Sequence, residues 1–233
     1  MRIGLIFSLS LPLLLITAAA VSLPADTLDG ALNRLDQAGS QFKGMMAQFQ
    51  YVKHTALVNE DSTSTGAIRI KRPKAGQLLG LLDFVAPDKK IVALNGQKVE
   101  IYLPNMKTVQ EVDLGQHKVL LEQFFLFGFG TSRRDLEASY SVSYGGPESV
   151  NGAATTRIVL ISRSSEVKKQ LSKFELWISD KTGYPLQQKF YEPSGDYNVF
   201  TYSADMKINP NQPDSELKLP HLKGDVKREI LNK

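Results

Sequence analysis

Cysteine is absent from the 233-residue sequence. Its absence excludes disulfide frameworks, thiolate metal sites, a cysteine nucleophile and lipidation of an amino-terminal cysteine. Histidine is scarce: His54, His117 and His221 stand far apart in three contexts, with no HExxH and no pair at ligand spacing, so no zinc or non-haem iron set is legible. A GxSxG elbow, a P-loop and a Rossmann glycine pattern are missing too. The one carboxylate pair beside a turn, Asp83 and Asp88 near Pro87, reads as a charged strand edge. These absences point to a binding protein rather than an enzyme, without metal or cofactor. An excess of one charge is also lacking, since 28 Lys and Arg oppose 24 Asp and Glu, and a net charge of +4 is too weak to argue for nucleic acid. With 42% apolar and 9% aromatic residues the composition is that of a globular chain, long enough to bury a core without staples.

Long hydrophobic runs are missing except at the start, where 14 of the first 20 residues are apolar and only Arg2 is charged. A basic Met1–Arg2, an apolar stretch over 3–16 and small residues at Thr17, Ala18, Ala19 and Ala20 have the order of a secretory signal cleaved near Ala20. An uncleaved anchor is the rival, weakened by Ser8, Ser10 and Pro12. The expectation is an exported chain with one domain over 21–233.

Leu28, Ala31, Leu32, Leu35 and Ala38 fall at helical spacing, with Asp26 or Thr27 as N-cap and Gly39 as a stop. The period then changes to two. Strands are expected over 45–58, 65–72, 77–84, 90–94, 98–103 and 108–113, with tight turns at Asn95-Gly96 and Pro104-Asn105. Helical signals return over 117–127 and from Thr131 or Ser132 to about Ser139. Further strands are expected over 140–144, 155–162, 173–179, 187–191 and 197–208. Eleven strands joined by short turns make an antiparallel meander too wide to stay flat, so the expected fold is mainly β, an incomplete barrel closed by short helices. Val99, Ile101 and Leu103 alternate with Lys98, Glu100 and Tyr102, and Phe174, Leu176 and Ile178 with Glu175, Trp177 and Ser179. That alternation predicts one dry, concave face and one wet face.

Two constellations stand out. Leu120, Leu121, Phe124, Phe125 and Phe127 belong to a segment apolar on all sides. It reads either as a buried core helix or as a lid that yields the concave surface to a hydrophobic ligand, with Gly128 and Gly130 permitting the movement. Ile68, Ile70 and Arg72 share one face of a strand, which places a guanidinium with five donors at the rim of an apolar surface. The alternative puts Arg72 in a solvated cluster with Lys71 and Lys74.

The strand "MMAQFQ" containing Phe49, the segment "GAIRIKRP", the run "KKIVALNGQKVEIYLPNMKTVQEV" and the stretch "FELWISDKTGYPLQQKFYEPSGDYNVFTY", in that order, resemble the periplasmic outer-membrane lipoprotein carrier family, LolA, over roughly residues 26–220. The resemblance implies an apolar cavity that takes lipoprotein acyl chains from an inner-membrane ABC release complex and delivers them to an outer-membrane acceptor, the carrier being a soluble periplasmic monomer. It also implies that the family's barrel arginine, which bonds the lid when closed, falls on Arg72. Two other roles suit the same fold: an envelope-stress regulator, and a carrier of another lipid. "KAGQLLGLLDF" departs from the family by being aliphatic until Phe84, and the tail from His221 to Lys233 has no counterpart and reads as a solvated end.

Overall fold

The computed structural model describes residues 27–73, 78–113, 127–222 and 224–231. The first helix, α1 (Leu28–Ser40), is capped by Thr27, whose Oγ1 accepts from the Gly30 N–H at 3.1 Å. Its buried face carries Ala31, Leu32 and Leu35. Gly39 does not stop the helix, which runs on to Ser40. A Cβ at Gly39 would lie 2.8 Å from the Thr131 carbonyl, so glycine there permits close approach of a neighbouring segment.

Six strands follow as an antiparallel meander: β1 (Gly44–Thr55), β2 (Glu60–Lys71), β3 (Leu79–Ala86), β4 (Lys90–Asn95), β5 (Lys98–Leu103) and β6 (Thr108–Asp113). After α2 (Arg133–Ser139), capped by Ser132, come β7 (Tyr140–Val150) and β8 (Ala153–Ser162). The short helix α3 (Ser165–Gln170) then leads into β9 (Lys173–Ser179), β10 (Pro185–Tyr191) and β11 (Tyr197–Tyr202). The two meanders join where β1 pairs with β11, setting Phe49 opposite Tyr202 and Tyr51 opposite Phe200. The path runs β13-β6-β5-β4-β3-β2-β1-β11-β10-β9-β8-β7, where β13 is Lys227–Ile230 and β12 (Lys207–Ile208) pairs with β1 off the path. It is a large open sheet, mostly antiparallel, and not a closed barrel.

Five expectations need correction. Thirteen strands are found among the described residues rather than eleven. The 197–208 run breaks at Ser203, and the tail contributes β13, which lies parallel to β6 with Arg228 Nη1 donating to Glu100 at 2.8 Å and to Glu111. The tail is therefore paired rather than simply solvated. Strand β7 continues past Gly146 and Pro147 because it is an edge strand with a bulge between Tyr144 and Gly146, where proline removes no needed donor. Phe127 lies in a turn rather than a helix, and residues 117–126 lie outside the described residues. Finally, the far face of β9 is dry: Glu175, Trp177 and Ser179 are all buried.

That far face is covered by a second apolar cluster of Val150, Trp177 and Leu186 and by a charged network. Arg157 donates from Nη1 to Glu175 at 3.1 Å and from Nη2 to the Gly145 carbonyl at 3.0 Å, and pairs through Nε with Glu148 at 2.8 Å. Glu175 also accepts from Tyr191 at 2.7 Å and Lys173 at 3.2 Å. Burial pushes the Glu175 carboxyl up, but the Tyr191 and Lys173 hydrogen bonds, with the charges of Lys173 and Arg157, outweigh it and hold the group below the usual carboxylate range. A buried carboxylate satisfied in this way stiffens the outer wall behind the concave face.

Candidate functional site

The concave face is lined by inward positions of both meanders. Phe49, Ile68, Ile70, Val99, Phe174, Leu176 and Ile178 all join one continuous buried cluster with Leu32 and Leu35 of α1 and Leu136 of α2. Burial falls off toward the β4–β6 wing. Val99 faces Leu94 and is buried, whereas Ile101, opposite Val92, is only half-buried. Leu103 is also half-buried and lies outside the buried cluster. Leu120, Leu121, Phe124 and Phe125, the heart of the expected lid, lie outside the described residues.

The end of that segment is described, and it fills the concavity. The turn over 127–130 inserts two rings into the core. Phe127 packs against Phe174 at 4.7 Å and edge-on to Tyr140 at 5.2 Å, whose hydroxyl burial pushes up to about 12. Phe129, with no exposed surface, sits among Phe42, Tyr184 and Tyr202 at 5.6, 6.2 and 5.6 Å. Between and after these rings stand Gly128 and Gly130, at φ +83° and +73°. A Cβ on Gly128 would meet Pro185 at 2.6 Å, and one on Gly130 would meet Arg72 Nη1 at 2.8 Å. The turn's backbone thus lies directly against the side chains of the walls.

Two side chains grip this turn. Arg72, one step beyond β2 on the face of Ile68 and Ile70, is half-buried and points Nη1 at the Gly130 carbonyl at 3.5 Å, the far limit of a hydrogen bond. Its neighbour Lys71 takes the opposite course, bonding the Gln212 carbonyl at 2.9 Å and Asp214 at 2.6 Å. Arg72 therefore reaches inward rather than joining a solvated cluster with Lys71. At the other end of the turn, Gln188 Nε2 donates to the Phe127 carbonyl, and Gln188 Oε1 accepts from the Tyr202 hydroxyl at 2.6 Å. Gln188 and Tyr202 escaped the sequence reading. The signal was present: Phe190 faces inward, so period two carries Gln188 to the same face, opposite Leu176 and Phe200.

The motif Asp180-x-x-Gly183-x-Pro185 fixes α1 over this core. Asp180 Oδ1 accepts from Arg34 at 3.0 Å and from the Thr156 hydroxyl at 2.8 Å, and the Tyr184 hydroxyl donates to the Ala38 carbonyl at 2.9 Å. Gly183, at φ +74°, lets the hairpin touch the helix, since a Cβ would lie 2.4 Å from the Arg34 carbonyl. The described histidines belong elsewhere: His54 stacks on Tyr197 at 4.4 Å and bonds Asp61, while His221 lines a cavity of about 560 Å³ under the tail. Asp83 lies in β3, which is paired on both sides and so is not a sheet edge, and Asp88 lies in the turn beyond its end.

An open, mostly antiparallel sheet curled over an apolar concave face with helices across it is a LolA-like fold. Residues 40–215 match the family described as "Outer membrane lipoprotein carrier protein LolA", more than half of the chain, and the chain belongs to that family. No curated protein matches the sequence. Among solved structures, an uncharacterized conserved protein from Thermus thermophilus is similar at TM-score 0.53 and 13% identity, covering 87% of this chain and 98% of that one. MucB is similar at TM-score 0.52 and 17% identity, covering 83% of this chain. The chain spans 62% of the length of MucB. These likenesses show the fold.

Proposed function

We propose that this chain is a periplasmic carrier whose concave face takes up the acyl chains of lipoproteins, receiving them from an inner-membrane ABC release complex and passing them to an outer-membrane acceptor. It acts as a monomer and catalyses no reaction. The observation that carries this reading is the 127–130 turn. Its two buried rings occupy the concavity, glycines flank the second ring, and Arg72 and Gln188 grip its carbonyls.

The physical need is plain. Each methylene kept from water is worth about 0.8 kcal/mol, so a sixteen-carbon chain amounts to roughly 12 kcal/mol and does not cross an aqueous compartment free. A cavity standing open for several such chains would hold them near the ceiling of non-covalent affinity, about −18 to −21 kcal/mol. A plug that must leave before ligand enters subtracts its own packing from the binding energy and makes release possible. The half-buried Ile101 and Leu103 extend the apolar surface away from the plug.

The test uses the purified chain and a lipopeptide bearing a diacylglyceryl cysteine, with the deacylated peptide as control. Co-elution of the acylated form and its transfer to phospholipid vesicles are expected. Equal retention of both peptides, or of neither, overturns the reading. Native mass spectrometry of protein taken from the periplasm separates the rivals: acylated peptides support the lipoprotein carrier, and free glycolipid or isoprenoid supports another cargo. An empty protein bound to a membrane regulator supports the sensor.

A further inference from the structure

Gln188 presents a fully buried amide in a wall of rings and aliphatic side chains, between Leu176 and Phe200. A primary amide in such surroundings is strongly unfavourable unless its donors and acceptor are met. The arrangement meets them in one way. Tyr202 is fully buried, and burial pushes its phenol pKa up, so its hydroxyl remains a proton donor. It donates to Gln188 Oε1 at 2.6 Å, which fixes the amide plane and turns Nε2 toward the Phe127 carbonyl. A carbonyl only accepts, so the orientation of the amide is determined.

The plug and the ligand compete for the same space, and they therefore compete for this donor. If Phe127 leaves and plain hydrocarbon replaces it, Nε2 is stranded in an apolar wall. If the arriving chain brings a carbonyl oxygen, that oxygen takes the place of the Phe127 carbonyl and the bond is exchanged rather than lost. We infer that Gln188, oriented by Tyr202, is a carbonyl-binding subsite that selects ester- or amide-linked acyl chains over hydrocarbon, ether or isoprenoid chains of the same length. This rests on the carrier reading and adds the part of the ligand that is read. Arg72 does not duplicate it, because its guanidinium is half-buried at the other end of the turn.

The test compares two lipopeptides with the same peptide and sixteen-carbon chains, one with palmitoyl esters on the glyceryl group and one with hexadecyl ethers, titrated against the wild type and Gln188→Met/Tyr202→Phe. The double substitution removes both side-chain partners together, and the donor lost by the Phe127 carbonyl is common to the two titrations and cancels in their ratio. The wild type is expected to bind the ester form about tenfold or more tightly than the ether, the scale of one buried donor left unmet. In the double variant the two forms should bind within about twofold of each other. With a 13C-labelled ester, the carbonyl stretch should shift to lower frequency on binding the wild type and not the variant. Equal binding of ester and ether by the wild type, or a preference kept by the variant, overturns the subsite and leaves the carrier reading standing. A wild type that binds neither lipopeptide overturns both. The wild-type comparison decides the matter even if the variant fails to fold.

Discussion

Truncating Phe127 to alanine separates a plug from a fixed core residue, because both roles lower stability on truncation and only the plug role raises affinity. The ring is buried at 3% exposure and contacts Phe174, Tyr140 and Phe190 at centroid distances of 4.7, 5.2 and 6.4 Å. Phe-to-Ala changes at such sites cost about 3–5 kcal/mol, part of it for the cavity left behind. Stability should fall by that amount in urea unfolding. Binding depends on how much of this packing the empty protein must give up when it loads. Taking only the burial of the ring, about 1.5–3 kcal/mol, Phe127→Ala should bind a diacylated lipopeptide about 10- to 150-fold more tightly, mostly through slower release. The Gln188 bond goes to the backbone carbonyl of residue 127 and survives the substitution, so the change reports the ring alone. If stability falls while affinity is unchanged or weaker, Phe127 is permanent core and the competing-plug argument fails.

Gly183→Ala adds a Cβ 2.4 Å from the Arg34 carbonyl at φ +74°, whereas Gly152→Ala meets strain at φ +79° with nothing within 4 Å. The second should cost about 1–2 kcal/mol. The first should cost at least about 2 kcal/mol more, lowering Tm by a further 4–8 °C or so, and equal costs would refute the docking of α1 on the hairpin. For Glu175, the folded pKa lies below the ordinary value of about 4.3. Its contribution is therefore complete above that pH and is lost as pH falls through the folded pKa. Glu175→Gln should be less stable than wild type at pH 7 by about 1–3 kcal/mol, and the gap should narrow below about pH 4.3. A gap that widens on acidification would show that the carboxyl is held protonated instead.

Much of this architecture is legible in the sequence because it rests on local rules. Period-two runs such as Lys98–Leu103, hairpin residues at Asn95-Gly96 and the Thr27 cap each specify an element by chemistry within a few residues. What escaped depends on partners distant in the chain. The polar stretch Glu60–Ser64 shows no apolar period, yet it is strand because β1 pairs with it residue by residue, Thr55 with Glu60. The tail strand pairs with β6 across more than a hundred residues. Trp177 and Glu175 look like a wet face by alternation and are dry because Arg157, Glu148 and Leu186 cover them. The inward positions Val99, Phe174, Leu176 and Ile178 follow from alternation, whereas the face of Ile68 and Ile70 and the inward placement of Phe49 depend on which side of the sheet the helices cover. The sequence leaves Arg72 either inward or solvated, and the contact with the Gly130 carbonyl places it inward.

On the proposed carrier function, the distribution of burial across the sheet bears on how cargo would be released. At β9 both faces are buried, and the outer one is held by a satisfied carboxylate, so this part of the wall resists deformation. The plug packs against it. On the β4–β6 wing the inward residues Val92, Ile101 and Val112 are only half-buried. A rigid wall with a removable plug concentrates the energetic change of loading in the turn over 127–130, where rings, glycines and two polar grips lie within four residues. The affinity for cargo is then the difference between acyl burial and plug packing. On that proposal, release would require a partner that favours the plugged state over the loaded one, with no need to unfold the sheet.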